Sequence, residues 1–369
     1  MWFQSGCRKR VCGADVMDFE NYMKKNTTDI NRELKLFFPK KISRSWLIKN
    51  LSREDFGFDI ETYQKSVSGP VWNFLGRGGK RWRPTLLLLC CEAVGGSRKR
   101  AMPFTVIPEL AHNGTIIIDD LEDNSPLRRG KPTLHLIYGV DIAVNAGNLL
   151  YFLPLALLFS RKSKVPEKTA ARLYNVFAQE MLRLSFGQGT DIYWHHGKKK
   201  KITEKQYLQM CLYKTGSLAR MSAKIGAILG GADDRITSLL GDYAASIGVA
   251  FQMQDDILNI LPSSSKWGKA VGEDISEGKR SLLVVYAMNN SSAKDSKRLS
   301  EILSLRTTEK KKVREAIEII KRSGAVEYAS SKAEHMVESS WKKLEPKLPN
   351  SNAKAMLREF GNYLVERKI

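Results

Sequence analysis

From Pro84 to the C-terminus of this 369-residue chain, nearly every segment repeats its apolar residues with a helical period, and few runs alternate as a strand would. Helices with no sheet to cover can bury their apolar faces only against one another, so the expected fold is all-α, a large helical bundle. Helices are expected over residues 101–122, 140–159, 168–191, 203–231 and 235–261, with one or two more between 18 and 68. From residue 296 the pattern is amphipathic, with breaks at Ser323–Gly324 and at Pro346 and Pro349. Gly187, Gly216 and Gly248 cost these segments helix propensity and are expected to permit close helix approach. No repeat of fixed period is present. Residues 1–17 read as an N-terminal extension and 18–369 as a single helical domain.

A formal charge of +21 with 43% apolar residues describes a globular chain with affinity for something anionic. Nucleic acid is not expected, because the Cys and His spacings fit no zinc finger and no basic zipper or aromatic RNA-binding signature is present. The five cysteines, Cys7, Cys12, Cys90, Cys91 and Cys211, are scattered and odd in number, as in reduced cytoplasmic proteins. The longest apolar run, 149–159, is short for a bilayer and contains Pro154. The basic N-terminus has no apolar signal region; organellar targeting and a start at Met17 both fit it. The loop WHHGKKKKIT, residues 194–203, reads as a solvated connection, with peripheral contact to an anionic membrane as its functional alternative.

Charge is also concentrated locally. In ELAHNGTIIIDDLEDNSPLRRGKP, residues 109–132, Asp119 and Asp123 fall about 40° apart on one helical face, with Asp120 beside them. Carboxylates so close repel one another unless a cation lies between them. Hard oxygen donors of this kind suit Mg²⁺, which takes few protein carboxylates and completes its shell from water and phosphate. The adjacent Arg128 and Arg129 suit the same phosphate. Alone, DDLED reads equally well as an acidic surface turn followed by a basic loop.

A second cluster changes that balance. FQMQDDILNI places Asp255, Asp256 and Asn259 at the same i, i+1, i+4 spacing, with Gln252 one turn earlier. Beyond it, Lys269 and Lys279 lie in the glycine-rich KWGKAVGEDISEGKRS. Upstream, GRGGKRWRP fails the phosphate-loop pattern, since Arg81 follows Lys80, and reads as a turn bringing Lys80, Arg81 and Arg83 together. GQGTD at 187–191 and YKTG at 213–216 lie between the clusters.

With GGKRWRP, HNGTIIIDDLED, RRG, GQGTD, YKTG, FQMQDDILN and GEDISEGK in that order, the chain resembles the trans-isoprenyl diphosphate synthases, the polyprenyl synthases that include farnesyl and geranylgeranyl diphosphate synthases. The resemblance covers residues 76–279 and weakens beyond. It implies the type I isoprenoid synthase fold around a deep central cavity, usually in a homodimer. It implies Mg²⁺, three ions per site, held by Asp119, Asp123 and Asp255 with Asp120 and Asp256 in support. Arg128, Lys214, Lys269 and Lys279 would bind an allylic diphosphate. Lys80, Arg83, His112 and Arg129 would bind isopentenyl diphosphate, and Lys214, Thr215 and Gln252 would place oxygen dipoles near the developing cation. In isolation His112 would read as a core histidine, and Gln188 and Asp191 as supporting or structural residues.

Two departures matter. Asn259 replaces the last Asp of the second motif and loses a charge, which is expected to weaken the third metal site. In the family, the growing chain passes the residues four and five before the first Asp, here Thr115 and Gly114. Small side chains there imply products of C20 or longer, with Phe152 or a neighbour as a floor, and Gly114→Phe is expected to shorten them. Two rivals stand beside the synthase. A class I cyclase would carry a different second metal motif and lack GGKRWRP. A non-catalytic regulatory subunit would lose more motif residues than Asn259.

Overall fold

A helix enclosed on nearly every side sets the arrangement of the helices around it, and two of the described helices are enclosed in this way. The computed structural model describes residues 19–51, 56–158, 165–199, 201–261 and 271–365. Its main helices, numbered in chain order, are α1 (Phe19–Phe37), α2 (Trp82–Ala93), α3 (Val106–Glu122), α4 (Val140–Leu158), α5 (Glu167–His195), α6 (Ser217–Leu229), α7 (Asp234–Ile260), α8 (Ala325–Leu344) and α9 (Asn352–Val365). Further helices, among them Leu282–Asn290, Ala293–Leu305 and Lys310–Arg322 between α7 and α8, and shorter helical segments complete the described residues. The enclosed pair is α2 and α6: their leucines, cysteines and alanines are almost all buried, and α6 packs on α2, α5 and α7 together.

Each of the two divides its apolar residues between two cores. Leu86, Leu89 and Cys90 of α2, with Ala219, Ala223 and Ala227 of α6, face α7, α8 and α9. Leu87, Leu88 and Cys91, with Leu218, Met221 and Ile225, face α1, α3, α4 and α5. The pair therefore joins the two halves of the bundle. Its closest point is Gly226, where a Cβ would lie 2.1 Å from the Leu87 carbonyl oxygen.

The helices depart from their expected spans where local chemistry intervenes. The segment expected over 101–122 opens with the 3₁₀ turn Met102–Thr105, which contains Pro103, before α3 begins. The segment expected over 203–231 is broken by a π-helical turn, Leu212–Gly216. That turn fits against bare backbone, since a Cβ on Gly187 would stand 2.2 Å from the Lys214 nitrogen, and one on Gly248 2.9 Å from the Gly216 Cα. The basic loop after α3 holds a two-residue antiparallel hairpin, Leu127–Arg128 with Lys131–Pro132. Its turn residues, Arg129 and Gly130, both have positive φ, 53° and 72°, as a two-residue turn matching strand twist requires.

As a helix, α4 is longer than its apolar run: 19 residues with mean hydropathy 1.5, long and apolar enough to cross a membrane by length and composition. One face packs on α3. The other is open, with Phe152 68% exposed, so Phe152 points outward and forms no floor. Beside it, α5 exposes Leu182, Phe186 and Tyr193. Among the described residues, the cysteines Cys90, Cys91 and Cys211 are buried and free.

The α2–α6 contact is expected to tolerate no added carbon. Gly226→Ala should lower stability by roughly 1–3 kcal/mol, the usual cost of overpacking, read as a lower urea midpoint at unchanged slope. An unchanged midpoint would mean that α2 and α6 are not held at this distance.

Candidate active site

On α3, Asp119 is half-buried and accepts hydrogen bonds from Lys214 Nζ at 3.2 Å and Gln188 Nε2 at 3.0 Å. Lys214 also holds Asp191 at 2.6 Å, and Gln188 reaches Glu122 at 2.6 Å. Burial works to raise the Asp119 pKa, but Lys214, Gln188 and Lys279 outweigh it and hold the carboxyl below its ordinary range. For Asp123, at the helix end, burial and the charge of Asp119 push the carboxyl up. Lys214, on the π turn, is half-buried yet keeps its proton firmly, because Asp191 and Asp119 flank it. Sequence reasoning assigned nothing to His195; its Nδ1 lies 3.8 Å from Asp123 Oδ1.

The supporting aspartates are committed elsewhere. Asp120 is buried, and its Oδ1 accepts from Arg128 Nε at 2.7 Å, while Oδ2 is buried without a hydrogen-bond partner. Asp256 on α7 accepts from the Tyr207 hydroxyl at 2.6 Å and from Gln252 Nε2 at 3.0 Å. Burial, then the nearby Asp274, raise its pKa to about 7. The Gln252 carbonyl oxygen accepts from the Thr215 hydroxyl at 3.1 Å, so Tyr207, Asp256, Gln252 and Thr215 form one chain. Asp255 is half-buried, and its charge reaches Arg83.

Asn259 does not face this site. It is 1% exposed, its Oδ1 accepts the Asp274 backbone N–H at 3.2 Å, and its own carbonyl accepts from Gly272 at 2.7 Å. It thus ties α7 to the turn Glu273–Glu277, which leads to Lys279. Lys279 pairs with Asp274 at 3.1 Å and Glu277 at 2.7 Å, and its charge reaches Asp123. Lys269 lies outside the described residues.

Opposite the acidic face lies a basic group. Arg83 is buried, its guanidinium 4.2 Å over the Trp82 ring and its Nη1 3.1 Å from His112 Nε2. A guanidinium can only donate, so His112 Nε2 accepts and its proton sits on Nδ1. Burial and the surrounding arginines hold the His112 pKa far below its usual value, which keeps the ring neutral. Burial lowers Arg83 to about 10, still protonated at neutral pH, and its Nε is a buried donor without a partner. Arg129 donates to the Gly78 carbonyl, while Lys80 is exposed. Arg81 turns inward instead of joining this group, forming a buried pair with Glu109.

Gly114 faces α4: a Cβ there would lie 3.0 Å from the Gly147 carbonyl and 3.1 Å from the Tyr151 ring. Thr115 is half-buried, with its hydroxyl on the His112 carbonyl at 2.7 Å, and stands one turn before Asp119.

Among the described residues no three His, Cys, Asp or Glu side chains converge into a closed metal site. Separate carboxylates bordered by ammonium groups fit ions that take one or two protein ligands each and complete their shells elsewhere, the habit of Mg²⁺.

Residues 64–320 match the family described as polyprenyl synthetase. A short chain isoprenyl diphosphate synthase of Methanothermobacter thermautotrophicus is 36% identical over 79% of this chain and 87% of its own. A geranylfarnesyl diphosphate synthase of Aeropyrum pernix is 32% identical over 82% of this chain and 94% of its own. The crystal structure of a geranylgeranyl pyrophosphate synthetase from Pyrococcus horikoshii superposes with TM-score 0.81 and 31% identity, over 95% of this chain and 99% of that one.

The buried Asp256 makes a pH prediction that needs no substrate. Its folded pKa, about 7, lies above the ordinary carboxylate value near 4, so the folded state binds more protons between them and this group lowers stability as pH rises through that window. Asp256→Asn, which cannot ionise, should gain stability relative to wild type from about pH 4 to about pH 7 in metal-free urea titrations. A constant difference across that range would contradict the burial of an unpaired charge.

Proposed function

This chain belongs to the polyprenyl synthetase family, and from that premise we propose that it condenses isopentenyl diphosphate head-to-tail with an allylic diphosphate, giving a trans-prenyl diphosphate of C20 or longer. The observation that carries the proposal is the π turn Leu212–Gly216. Its Lys214 touches Asp119 of the first acidic helix, and its Thr215 touches Gln252, one turn from the second acidic cluster. One turn thus joins both clusters beside Arg83 and His112.

The reaction begins when the allylic C–O bond breaks and leaves a carbocation and diphosphate. Asp119, Asp123 and Asp255 would hold Mg²⁺, which would supply charge neutralisation to the leaving group. Arg128, oriented by Asp120, acts there with Lys214, Lys279 and Lys269. The Thr215 hydroxyl and the Gln252 amide oxygen turn dipoles toward the cation. Lys80, Arg83, Arg129 and neutral His112 hold the second diphosphate; the unpartnered Arg83 Nε supports that role, since buried donors are otherwise satisfied. The isopentenyl double bond attacks the cation, a new C–C bond forms, and the departing diphosphate takes the proton whose loss restores an alkene. Apolar side chains of α3, α5 and α6 exclude water that would capture the cation. Three ions per site is part of the proposal, with the α7 side contributing chiefly Asp255. The exposed apolar faces of α4 and α5 support a homodimer, and a monomer in sedimentation analysis would overturn that part.

Purified protein given labelled isopentenyl diphosphate, Mg²⁺ and dimethylallyl, geranyl or farnesyl diphosphate should release products of C20 or longer, and Asp119→Ala should lower kcat by about a hundredfold or more. No elongation from any primer would leave the regulatory-subunit reading standing.

Chain length separates two neighbouring positions. Thr115→Phe should shorten the products with the fold intact. Gly114→Phe pushes against α4 and should chiefly lower stability, because Gly147 and Leu150 already touch that site. Thermal melts beside product chromatography check both, and unchanged products from Thr115→Phe would remove that residue from the growing chain's path.

A further inference from the structure

The helix α1, ahead of the residues 64–320 that the family model matches, reaches the basic side of the site. The link is Arg81. Its backbone is left-handed, φ 49° and ψ 34°, a conformation unfavourable for any residue with a Cβ and one that persists where the surroundings impose it. Three elements do so here. Its Nε donates to Asn31 Oδ1 on α1 at 3.1 Å, its Nη2 to the Leu75 carbonyl at 3.0 Å, and its Nη1 to Glu109 on α3. The Arg81 and Glu109 side chains are each 2% exposed, so neither touches a ligand.

The same carboxylate extends the connection. Glu109 Oε1 also accepts Asn113 Nδ2 at 2.6 Å, Asn113 Oδ1 lies 3.5 Å from Arg129 Nη1, and Arg129 donates to Gly78. A second strut from α1 is the Thr27 hydroxyl, 3.4 Å from the Lys80 carbonyl. Gly79 lets the parts close up: a Cβ there would lie 3.2 Å from Arg129 Nη2 and 3.4 Å from Arg81 Nη1. In the chain, Arg81 stands between Lys80 and Arg83. Its left-handed turn sets the direction in which the first leaves the loop and the second enters α2.

We propose that Arg81 is the positioning residue of the pocket for the isopentenyl diphosphate group, and that α1 governs that pocket through Asn31. Side chains must be held closely to grip a diphosphate productively, and a planar fork fixed on three elements sets the loop between them as a flexible ammonium would not. The proposal rests on the assignment of Lys80, Arg83 and Arg129 to that group.

The test uses the full chain and compares KM for isopentenyl diphosphate with KM for farnesyl diphosphate. Asn31→Ala should raise the first about tenfold, the usual size of a lost hydrogen bond to a charged group, and leave the second within about twofold. Asn31→Asp, which keeps the acceptor, should restore the wild-type value. Arg81→Lys should raise the first KM further; if that variant does not fold, the Asn31 pair decides. Arg83→Ala separates the two levels of the claim. If it raises KM for isopentenyl diphosphate while Asn31→Ala does not, Arg81 is structural and the proposal fails. If Arg83→Ala leaves that KM unchanged, the pocket assignment fails and the proposal with it. A parallel rise of both KM values in Asn31→Ala, or no rescue by Asn31→Asp, would also overturn it.

Discussion

Negative charge gathered at the end of α3 is the constraint that the rest of the site answers. Asp119, Asp123 and Glu122 repel one another on α3, and burial intensifies the repulsion. Lys214 relieves it by standing between Asp119 and Asp191, and Lys279 adds charge from the far side. Since Lys214 is carried by the π turn joining the helix Glu204–Cys211 to the enclosed α6, the packing of the bundle core and the spacing of the carboxylates are one problem. The carboxylates are thereby held in a place already arranged for positive charge.

The buried polar groups show how the arrangement is held. A buried ion pair seldom adds net stability, because desolvation opposes it, but breaking one leaves a costly uncompensated charge. Arg81 with Glu109 and Arg128 with Asp120 therefore act as constraints on geometry. The one ties the GGKRWRP loop to α3; the other holds the Arg128 guanidinium near Asp119 and Asp123. Tyr207 and Gln252 constrain Asp256 in the same way.

Much of this was legible in the residues. Helical periodicity gave the all-α bundle, and the apolar pattern around DDLED and DDILN put Asp119 and Asp255 on two separate helices, with Asp123 at the end of the first. Spacing cannot report which way a side chain turns. Arg81 looks like one more cation of a basic loop, and partners distant in the chain, Asn31 and Glu109, draw it inward. Asn259 looks like a weakened ligand, but its oxygen is occupied by the Asp274 amide. Gly114 looks like open space, though the backbone of α4 fills it. The hairpin escaped notice because two residues per strand leave no alternation to read. A signal for Gln188 and Asp191 was present in GQGTD, whose Gly187 admits the Lys214 backbone.

The five residues Leu212–Gly216 wind wider than an α-helix, and this has a consequence for how the chain tolerates length changes. Each residue of an α-helix advances the side chains by about 100°, so deleting one from this turn would restore ideal winding and rotate everything before it by about that angle. Tyr207 would swing away from Asp256 while Thr215 stayed near Gln252. A shorter, better-formed helix would be the less competent one, so an alignment gap here would signal lost chemistry even with every charged residue retained.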